Sequence, residues 1–427
     1  KKVKMASFDK NVIWNQVLAL VMNLWNWFLL SFFPSLIPVR KEPGADVHRA
    51  VQIDGPGGLN RLGLVALDGR LTIGYNVPTH KPPYAAKGSE IPDDGVVLCN
   101  QAFSINYADV TIRWGLYESA LRFVGWPIVP GFDVSGVVES VGPASKFKPG
   151  DRVYGCTMFG AYCSHVLIPS HQLTLCPDVL TVEEAAGLPA VAGTALHALS
   201  LAGFWPNPPL QRNKAVLIHS AAGGVGLMLV QMAKVLGCSP IVAVVGASHK
   251  VQICRDYGVD FVIDKSSTSL WTEAKKAAGG QGFAAIFDAN GVSTLSDSYD
   301  ALGQCGRLVV YGFHSNLPKG SDLLSPLKWA QMAVGMFQMP SFDAMNMTLE
   351  NKAVMGFNLS FFADEHAIFA AYLGQINDWI LGGKLKLAKV SVFEMEQVAE
   401  AHKLIQSGNS VGKIVIRTAA TPKKSKA

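Results

Sequence analysis

The stretch that most constrains this chain is residues 214–237, KAVLIHSAAGGVGLMLVQMAKVLG. Residues 215–219 form a short apolar run of strand type, 220–226 a glycine-rich turn, and 227–236 an apolar pattern at helical spacing that stops at Gly237. Strand, glycine turn and helix in that order are the setting in which such a turn cradles a dinucleotide pyrophosphate. Gly223 lets the backbone approach the phosphates, and Gly226 lets the helix close onto its strand. The helix N-terminus supplies free N–H groups and a partial positive charge. One position departs from G-x-G-x-x-G: Ala221 stands where the first glycine is expected.

The chain around this unit is patterned in two ways. Residues 48–175 read as short β-type runs broken by Gly and Pro, at 49–53, 71–75, 96–102, 134–141 and 162–168. That pattern predicts an antiparallel, barrel-like domain. It contains two landmarks, NYADVTIRWGLY at 106–117 and PGFDVSGVVESVGPASKFKPGDRVYG at 130–155, the latter with a Pro-Gly-Asp turn. Thr181 with Glu184 forms a capping box that opens a helical run over 182–188, and a second follows around 193–202. Beyond the glycine turn, strand and helix signals alternate at 241–245, 251–257, 261–263, 284–288 and 307–311, which predicts a doubly wound parallel sheet. Residues 353–359 and 413–416 read as strands, with a helix over 394–406 between them.

Hydrophobic residues make up 49% and charged residues 16%, enough apolar surface for a sizeable core. Much of the +5 net charge sits on lysines at the two ends, so no nucleic-acid surface is implied. Seven cysteines without a C-x-x-C pair argue against a disulfide framework and a cysteine zinc lobe. Residues 11–39 carry no charge, and a helix over 11–33 would be about 34 Å long, sufficient to cross a bilayer. Pro34 and Pro38 end it, and Asn15, Gln16, Asn23 and Asn26 line one side. The reading is a spanning or in-plane anchor; a helix packed on the protein itself and a cleaved signal are the alternatives. A membrane-associated protein with its catalytic domain in the cytosol is therefore expected, with a soluble cytoplasmic protein as the alternative. The lysine-rich tail 419–427 reads as disordered.

Together these segments resemble the medium-chain dehydrogenase/reductase superfamily, specifically its zinc-free quinone oxidoreductase branch. NYADVTIRWGLY is similar to the family's N-x-x-D-x-x-x-R-x-G-x-Y, and the second landmark to its P-G-x-x-x-x-G-x-V…G-D-R-V segment. SAAGGVG is the turn this branch usually shows, which accounts for Ala221. A methionine-rich insert followed by NKAVMGFNLSFF at 351–362 is most similar to the synaptic vesicle membrane protein homologues. The resemblance implies an α/β fold: a Rossmann-type doubly wound parallel sheet plus a GroES-like antiparallel β-barrel domain. The implied division is a hydrophobic segment at 1–46, the GroES-like catalytic domain at 47–189, the NADPH-binding domain at 190–355, a return to the catalytic domain at 356–418 and the tail at 419–427.

The resemblance also assigns roles. Asn106 and Phe132 stand where zinc relatives carry Cys and His, and neither side chain replaces thiolate or imidazole, so no metal is expected. No acidic residue lies between Ala185 and Arg255, where an NAD site wants one for the ribose, while Lys250 is present; NADPH is the expected cofactor. Ala222, Gly223, Gly224, Val225 and Gly226 would hold its pyrophosphate and Lys250 its 2′-phosphate, with Ser248 and His249 lesser contacts. Lys265 adds a second charge there or is simply solvated; Tyr311, Gly312 and Phe313 would flank the nicotinamide; Lys413 is a late cofactor contact or a surface charge. Asn106, Asp109 and Tyr117 are the catalytic candidates: Asn106 to orient the acceptor or the nicotinamide, Asp109 in a local ion pair with Arg113 or in the chemistry, Tyr117 to give a proton or to pack. Thr111 stands where quinone reductases often show tyrosine, and His165, His197, His219 and Asp288 read as structural. Met332, Met336, Met339, Met345 and Met347 line a greasy entrance, face a membrane, or pack within the fold or a dimer. Two functions follow. One is a homodimeric, membrane-associated reductase passing hydride from NADPH to a small hydrophobic quinone or enone. The other is a weakly active or inactive NADPH-binding protein that holds lipid or a membrane partner.

Overall fold

In the computed structural model the first half of the chain runs as strands: β1 (Arg49–Ile53), β2 (Leu62–Ala66), β3 (Thr72–Ile73), β4 (Gly95–Ile105), β5 (Asp133–Val141), β6 (Arg152–Cys156), β7 (His165–Pro169) and β8 (Leu173–Leu175). The described residues are 48–66, 72–73, 91–206, 213–313, 338–361, 365–386 and 389–422, with single positions at 327, 331, 334 and 335. The hydrophobic segment 11–39, Met332, Met336 and the last lysines lie outside them. No helix among the described residues is long and apolar enough to cross a membrane.

β1 and β2 form a separate antiparallel pair, while β3 to β8 join an eight-stranded, mainly antiparallel sheet. β4 organises it: β5 runs along one edge, and β7 takes the start of the other edge, opposite Gly95 to Cys99. Alternation sends Val96, Leu98 and Phe103 of β4 into one core with Val134, Val138, Val166 and Ile168. The strand expected at 162–168 begins only at His165, because Asn100 Nδ2 donates to the carbonyls of Ala161 and Cys163 and draws that backbone out of the ladder.

Helices α1 (Tyr107–Arg113) and α2 (Glu118–Phe123) leave the end of β4. α3 (Val182–Ala186) opens on the expected Thr181–Glu184 capping box, and α4 (Pro189–Leu201) has proline at its first turn. Then come β9 (Val216–Ile218), α5 (Gly224–Val235), β10 (Ile241–Val245), α6 (Val251–Asp256), β11 (Phe261–Asp264), α7 (Leu270–Ala277), β12 (Phe283–Asp288), α8 (Leu295–Asp300), β13 (Leu302–Val310), α9 (Ala344–Glu350) and β14 (Ala353–Gly356). The six strands are all parallel, in the order β11-β10-β9-β12-β13-β14. Strand order reverses between β9 and β12, and a crevice at that point is where such sheets take ligands. The glycine turn follows β9 and therefore opens there.

α10 (His366–Leu381) packs on α4 and adds Tyr372, Ile376 and Trp379 to the core of the parallel sheet. β15 (Val390–Glu394), α11 (Val398–Gln406) and β16 (Lys413–Arg417) carry the chain back to the first sheet, where β16 lies antiparallel on β4 with Ile414 opposite Ile105. The helix expected from residue 394 starts later. Glu394 ends β15 because its N–H donates to Gln397 Oε1 at 2.9 Å across a tight 3₁₀ turn, Met395–Gln397. This return sets Lys413 beside the end of β4.

Candidate cofactor cleft and active site

The glycine turn is built by close approach. A Cβ at Gly226 would stand 2.6 Å from Ala221 Cα, Ala221 O and Ser220 O, and one at Gly224 2.9 Å from Val191 Cγ1. Gly223 has a side open except for Ser220 O at 3.3 Å and caps α5 with extended backbone. The amides of Gly224, Val225 and Gly226 occupy the first turn of α5, where no intrahelical acceptor exists. Ala222 is buried, and its carbonyl accepts from Gly412 N at 3.2 Å, so the returning chain touches the turn directly. The residues present fit a pyrophosphate.

The next loop carries the expected 2′-phosphate residues. Ser248 and Lys250 follow β10, and the exposed Lys265 follows β11, its chain within 3.7 Å of a Cβ built on Gly246. Lys250 Nζ donates to Gly408 O at 2.5 Å. One neighbour escaped the sequence reading. Asp264, at the end of β11, accepts from Ser248 Oγ and Ser266 Oγ at 2.6 Å each. Those hydrogen bonds, Ser248 first, hold its carboxyl below the usual range. The absence of acidic residues between 185 and 255 conceals this carboxylate, since only the parallel pairing of β10 with β11 brings it alongside.

At the end of β4 a buried polar cluster joins three elements. Asp133, fully buried at the start of β5, accepts from Ser104 Oγ, from Asn106 Nδ2 at 2.9 Å and from Ala190 N at 2.6 Å, and Lys413 Nζ stands 3.4 Å away. Lys413 also donates to Asn106 Oδ1 and to Ile105 O. It is only 4% exposed, so it is not a surface charge; its stem passes 3.5 Å from a Cβ built on Gly224. Burial lowers its pKa, and Asp133 and then Asp109 oppose that. Asp133 was missed in the sequence; a carboxylate at the first position of β5, ahead of the apolar Val134, Val137 and Val138, is the signal that marks it.

Asp109 and Arg113 do not form the expected local ion pair. Asp109 accepts from Asn106 N at 2.8 Å and Gly131 N at 3.1 Å, whereas Arg113 turns to Gly57 O and Gln406 Oε1 at 2.8 and 2.7 Å. A capping carboxylate must fold back over the helix start, which takes it away from a residue one turn on. Burial pushes the Asp109 carboxyl up to about 7, against the Asn106 hydrogen bond and Lys413. Tyr117 lies edge-on to Phe132 and Phe159, its hydroxyl donating towards Asn358 Oδ1 and Ser360 Oγ at 3.1 and 3.2 Å. Burial raises its pKa. Thr111 Oγ1 donates back to Ala108 O at 2.7 Å.

Tyr311, Gly312 and Phe313 leave the end of β13, and a Cβ at Gly312 would meet Ala289 O at 2.8 Å. This strand end packs on the turn after β12, where Asp288 accepts from Asn290 N, Gly291 N, Thr294 Oγ1 and Ser298 Oγ. Asp288 thus shapes the turn. His219 Nε2 lies 3.1 Å from Ser298 Oγ, and burial lowers its pKa to about 4 against the pull of Asp288. The structure brings Asn106, Asp109 and Lys413 into one cluster beside the glycine turn; Tyr117 stands on its aromatic wall.

The model of the alcohol dehydrogenase GroES-like domain matches residues 92–199, and that of the zinc-binding dehydrogenase family matches residues 224–373. These matches and the two sheets define the class: the chain belongs to the medium-chain dehydrogenase/reductase superfamily. The human synaptic vesicle membrane protein VAT-1 homolog is 32% identical over 320 residues, covering 74% of this chain and 77% of that protein. A probable quinone oxidoreductase of Schizosaccharomyces pombe is 29% identical over 332 residues, 77% of this chain and 91% of its own length. The structure of Escherichia coli quinone oxidoreductase complexed with NADPH shares the fold, with a TM-score of 0.68 at 22% identity over 87% of this chain and all of the other. Within the superfamily the chain is a quinone oxidoreductase-like member.

Proposed function

We propose that the protein is a zinc-independent, NADPH-dependent reductase of a small hydrophobic quinone or enone. The observation that carries this reading is the glycine turn at the strand-order reversal, with Ser248, Lys250 and Lys265 on the adjoining loops. The solved relative that holds NADPH supports the same cofactor. NADPH supplies a hydride when bound. The chain supplies the rest: α5 amides for the pyrophosphate, Lys250 and Lys265 for the 2′-phosphate, and Tyr311 to Phe313 as a wall. Lys413 and Asp133 hold both ends of the Asn106 amide, so Asn106 presents a fixed dipole to the cleft rather than a swinging one. Tyr117 OH, between Asn358 and Ser360, is the group that can pass a proton to a reduced oxygen. Zinc independence rests on Asn106 being so held and on Phe132 packing against Phe159 with rings 5.2 Å apart.

A second reading, a weakly active NADPH-binding protein, is favoured by Thr111, whose hydroxyl bonds back to its own helix. Titration with NADPH and NADH, followed by NADPH consumption on a panel of quinones and enones, separates the two. The reductase reading expects NADPH to bind at least tenfold tighter than NADH, Lys250→Ala to remove most of that preference, and turnover on at least one acceptor. Tight NADPH binding with no turnover would establish the second reading, and equal affinity for NADH would remove the 2′-phosphate site. Membrane association through residues 11–39 and a homodimeric state belong to the same proposal. Removal of residues 1–39 should release the protein from membranes, and sedimentation should give twice the chain mass; continued pelleting, or a monomer, contradicts each in turn.

A further inference from the structure

Three side chains on the face of the first sheet turned away from the core of Leu98, Val138 and Val166 take no part in the cleft. Cys99 of β4 and His165 of β7 are direct cross-strand partners. Cys99 Sγ, a His165 ring nitrogen and a Glu139 carboxylate oxygen all lie within 4.8 Å of one another. Their neighbours Leu98, Val138 and Val166 point the other way, into the core. Glu139 follows the core-facing Val138 and reaches this face by ordinary alternation; β5 pairs Val138 with Leu98 and Ser140 with Val97, which leaves Glu139 as the extra residue of a bulge.

The arrangement is preoriented. His165 Nε2 stands 3.5 Å from Glu139 Oε1. Its Nδ1 lies 3.1 Å from Ser164 Oγ, which itself accepts from Arg49 N at 2.8 Å. An Nδ1–H donated to Ser164 leaves the Nε2 lone pair facing Glu139, the usual way a second partner orients a metal-bound imidazole. His48 stacks on the ring, with centroids 3.7 Å apart and planes 17° from parallel, and fixes its plane.

We propose that Cys99, Glu139 and His165 bind a thiophilic divalent transition-metal ion, zinc above all, with solvent completing the coordination. Thiolate, imidazole and carboxylate are donors that suit zinc and disfavour calcium and magnesium. A doubly charged cation with one thiolate and one carboxylate is electrically neutral, which a buried position tolerates. Bonds of about 2.0–2.3 Å place tetrahedral ligand atoms roughly 3.3–3.8 Å apart, and the imidazole and carboxylate already have that spacing. Glu139 and His165 side chains are each 10% exposed, so water reaches a fourth position. Burial, with Glu139 adding to it, pushes the Cys99 thiol up to about 12, so metal–sulfur bond formation displaces the thiol proton to solvent and oxidises nothing. The ion would tie β5, β4 and β7 together. This place is separate from Asn106 and Phe132, where zinc relatives of the superfamily carry their ligands.

The test uses the full chain, stripped with a chelator and titrated with Co2+. A thiolate-to-cobalt charge-transfer band should saturate at one ion per chain, and Zn2+ should displace it with release of one proton on first loading. Cys99→Ser should abolish the band, while Cys305→Ser, at an exposed thiol, should leave it intact. Glu139→Gln, which keeps the shape, should weaken Zn2+ binding at least tenfold and remove the rise in Tm that Zn2+ gives, with circular dichroism unchanged. No band, a band surviving Cys99→Ser, a band lost with Cys305→Ser, or unchanged affinity in Glu139→Gln would each overturn the site and leave Glu139 and His165 as an ordinary ion pair.

Discussion

Two glycine-to-alanine substitutions, Gly226→Ala and Gly374→Ala, should shift stability in opposite directions. Both positions lie in helices, and in a helix the exchange by itself favours alanine by about 0.5–1 kcal/mol. Gly374, exposed in α10, has nothing within 4 Å of a built Cβ, so Gly374→Ala should gain about that amount. At Gly226 the added carbon would stand 2.6 Å from three atoms, all of them backbone of Ser220 and Ala221. No flexible side chain can yield, so the turn must move off the helix by roughly 1 Å to reach ordinary contact, at a cost of about 1–3 kcal/mol. The net is a loss of up to about 2.5 kcal/mol, read by thermal or urea unfolding. The same movement displaces the first amides of α5, so NADPH should bind at least tenfold more weakly in a fluorescence titration. A Gly226→Ala protein as stable as the parent would refute the packing argument. One that is destabilised yet binds NADPH as the parent does would show that the turn is structural and holds no phosphate.

Lys413→Met should cost about 3–5 kcal/mol, because the buried Asp133 carboxyl would lose its partner ammonium; adding Asp133→Asn should recover most of it. Equal losses in the single and double variants would show that the pair is not what the ammonium supports. Burial raises the Asp109 carboxyl to about 7 in the native state, above its ordinary 3.8. Between those values the native chain keeps a proton that the unfolded chain has lost, so unfolding releases it. Stability from this group therefore falls as pH rises from about 4 to about 7, by at most about 1.4 kcal/mol per unit, and is level above that. Asp109→Asn should lack this slope in a series of Tm measurements, and identical slopes in parent and variant would exclude the raised carboxyl.

The elements legible in the sequence are those whose cause is local. Strand, turn and helix around SAAGGVG, the strand Ile241–Val245 and the capping box at Thr181 all follow from residues within one or two turns of each other. Where the reading drifted, a distant partner had intervened. Asn100 takes two carbonyls from the segment before β7, shortening that strand, and Arg113 finds Gln406, nearly three hundred residues away, instead of Asp109. The candidate site shows the same division. Gly223, Gly226 and Lys250 carry their meaning in the motif and its spacing, whereas Asp133, Asp264 and the partners of Tyr117 become neighbours only when sheets and loops assemble. His165 read as structural because a lone histidine in a strand has no visible partner; its cross-strand cysteine and the bulged glutamate are tertiary facts.

By itself, then, the sequence determined the strand, glycine turn and helix of a Rossmann-like α/β fold, because glycine spacing and apolar period act through backbone sterics and the hydrophobic effect over short distances. Tertiary structure alone decided that Lys413 would be a buried partner of Asn106 and Asp133 rather than a surface charge, since that depends on β16 returning antiparallel to β4. It also decided that Cys99, Glu139 and His165 would meet on one face, because the pairing of β4 with β5 and β7 sets them side by side. Register is set by the whole sheet, and a single residue's shift in it moves a side chain from one face to the other.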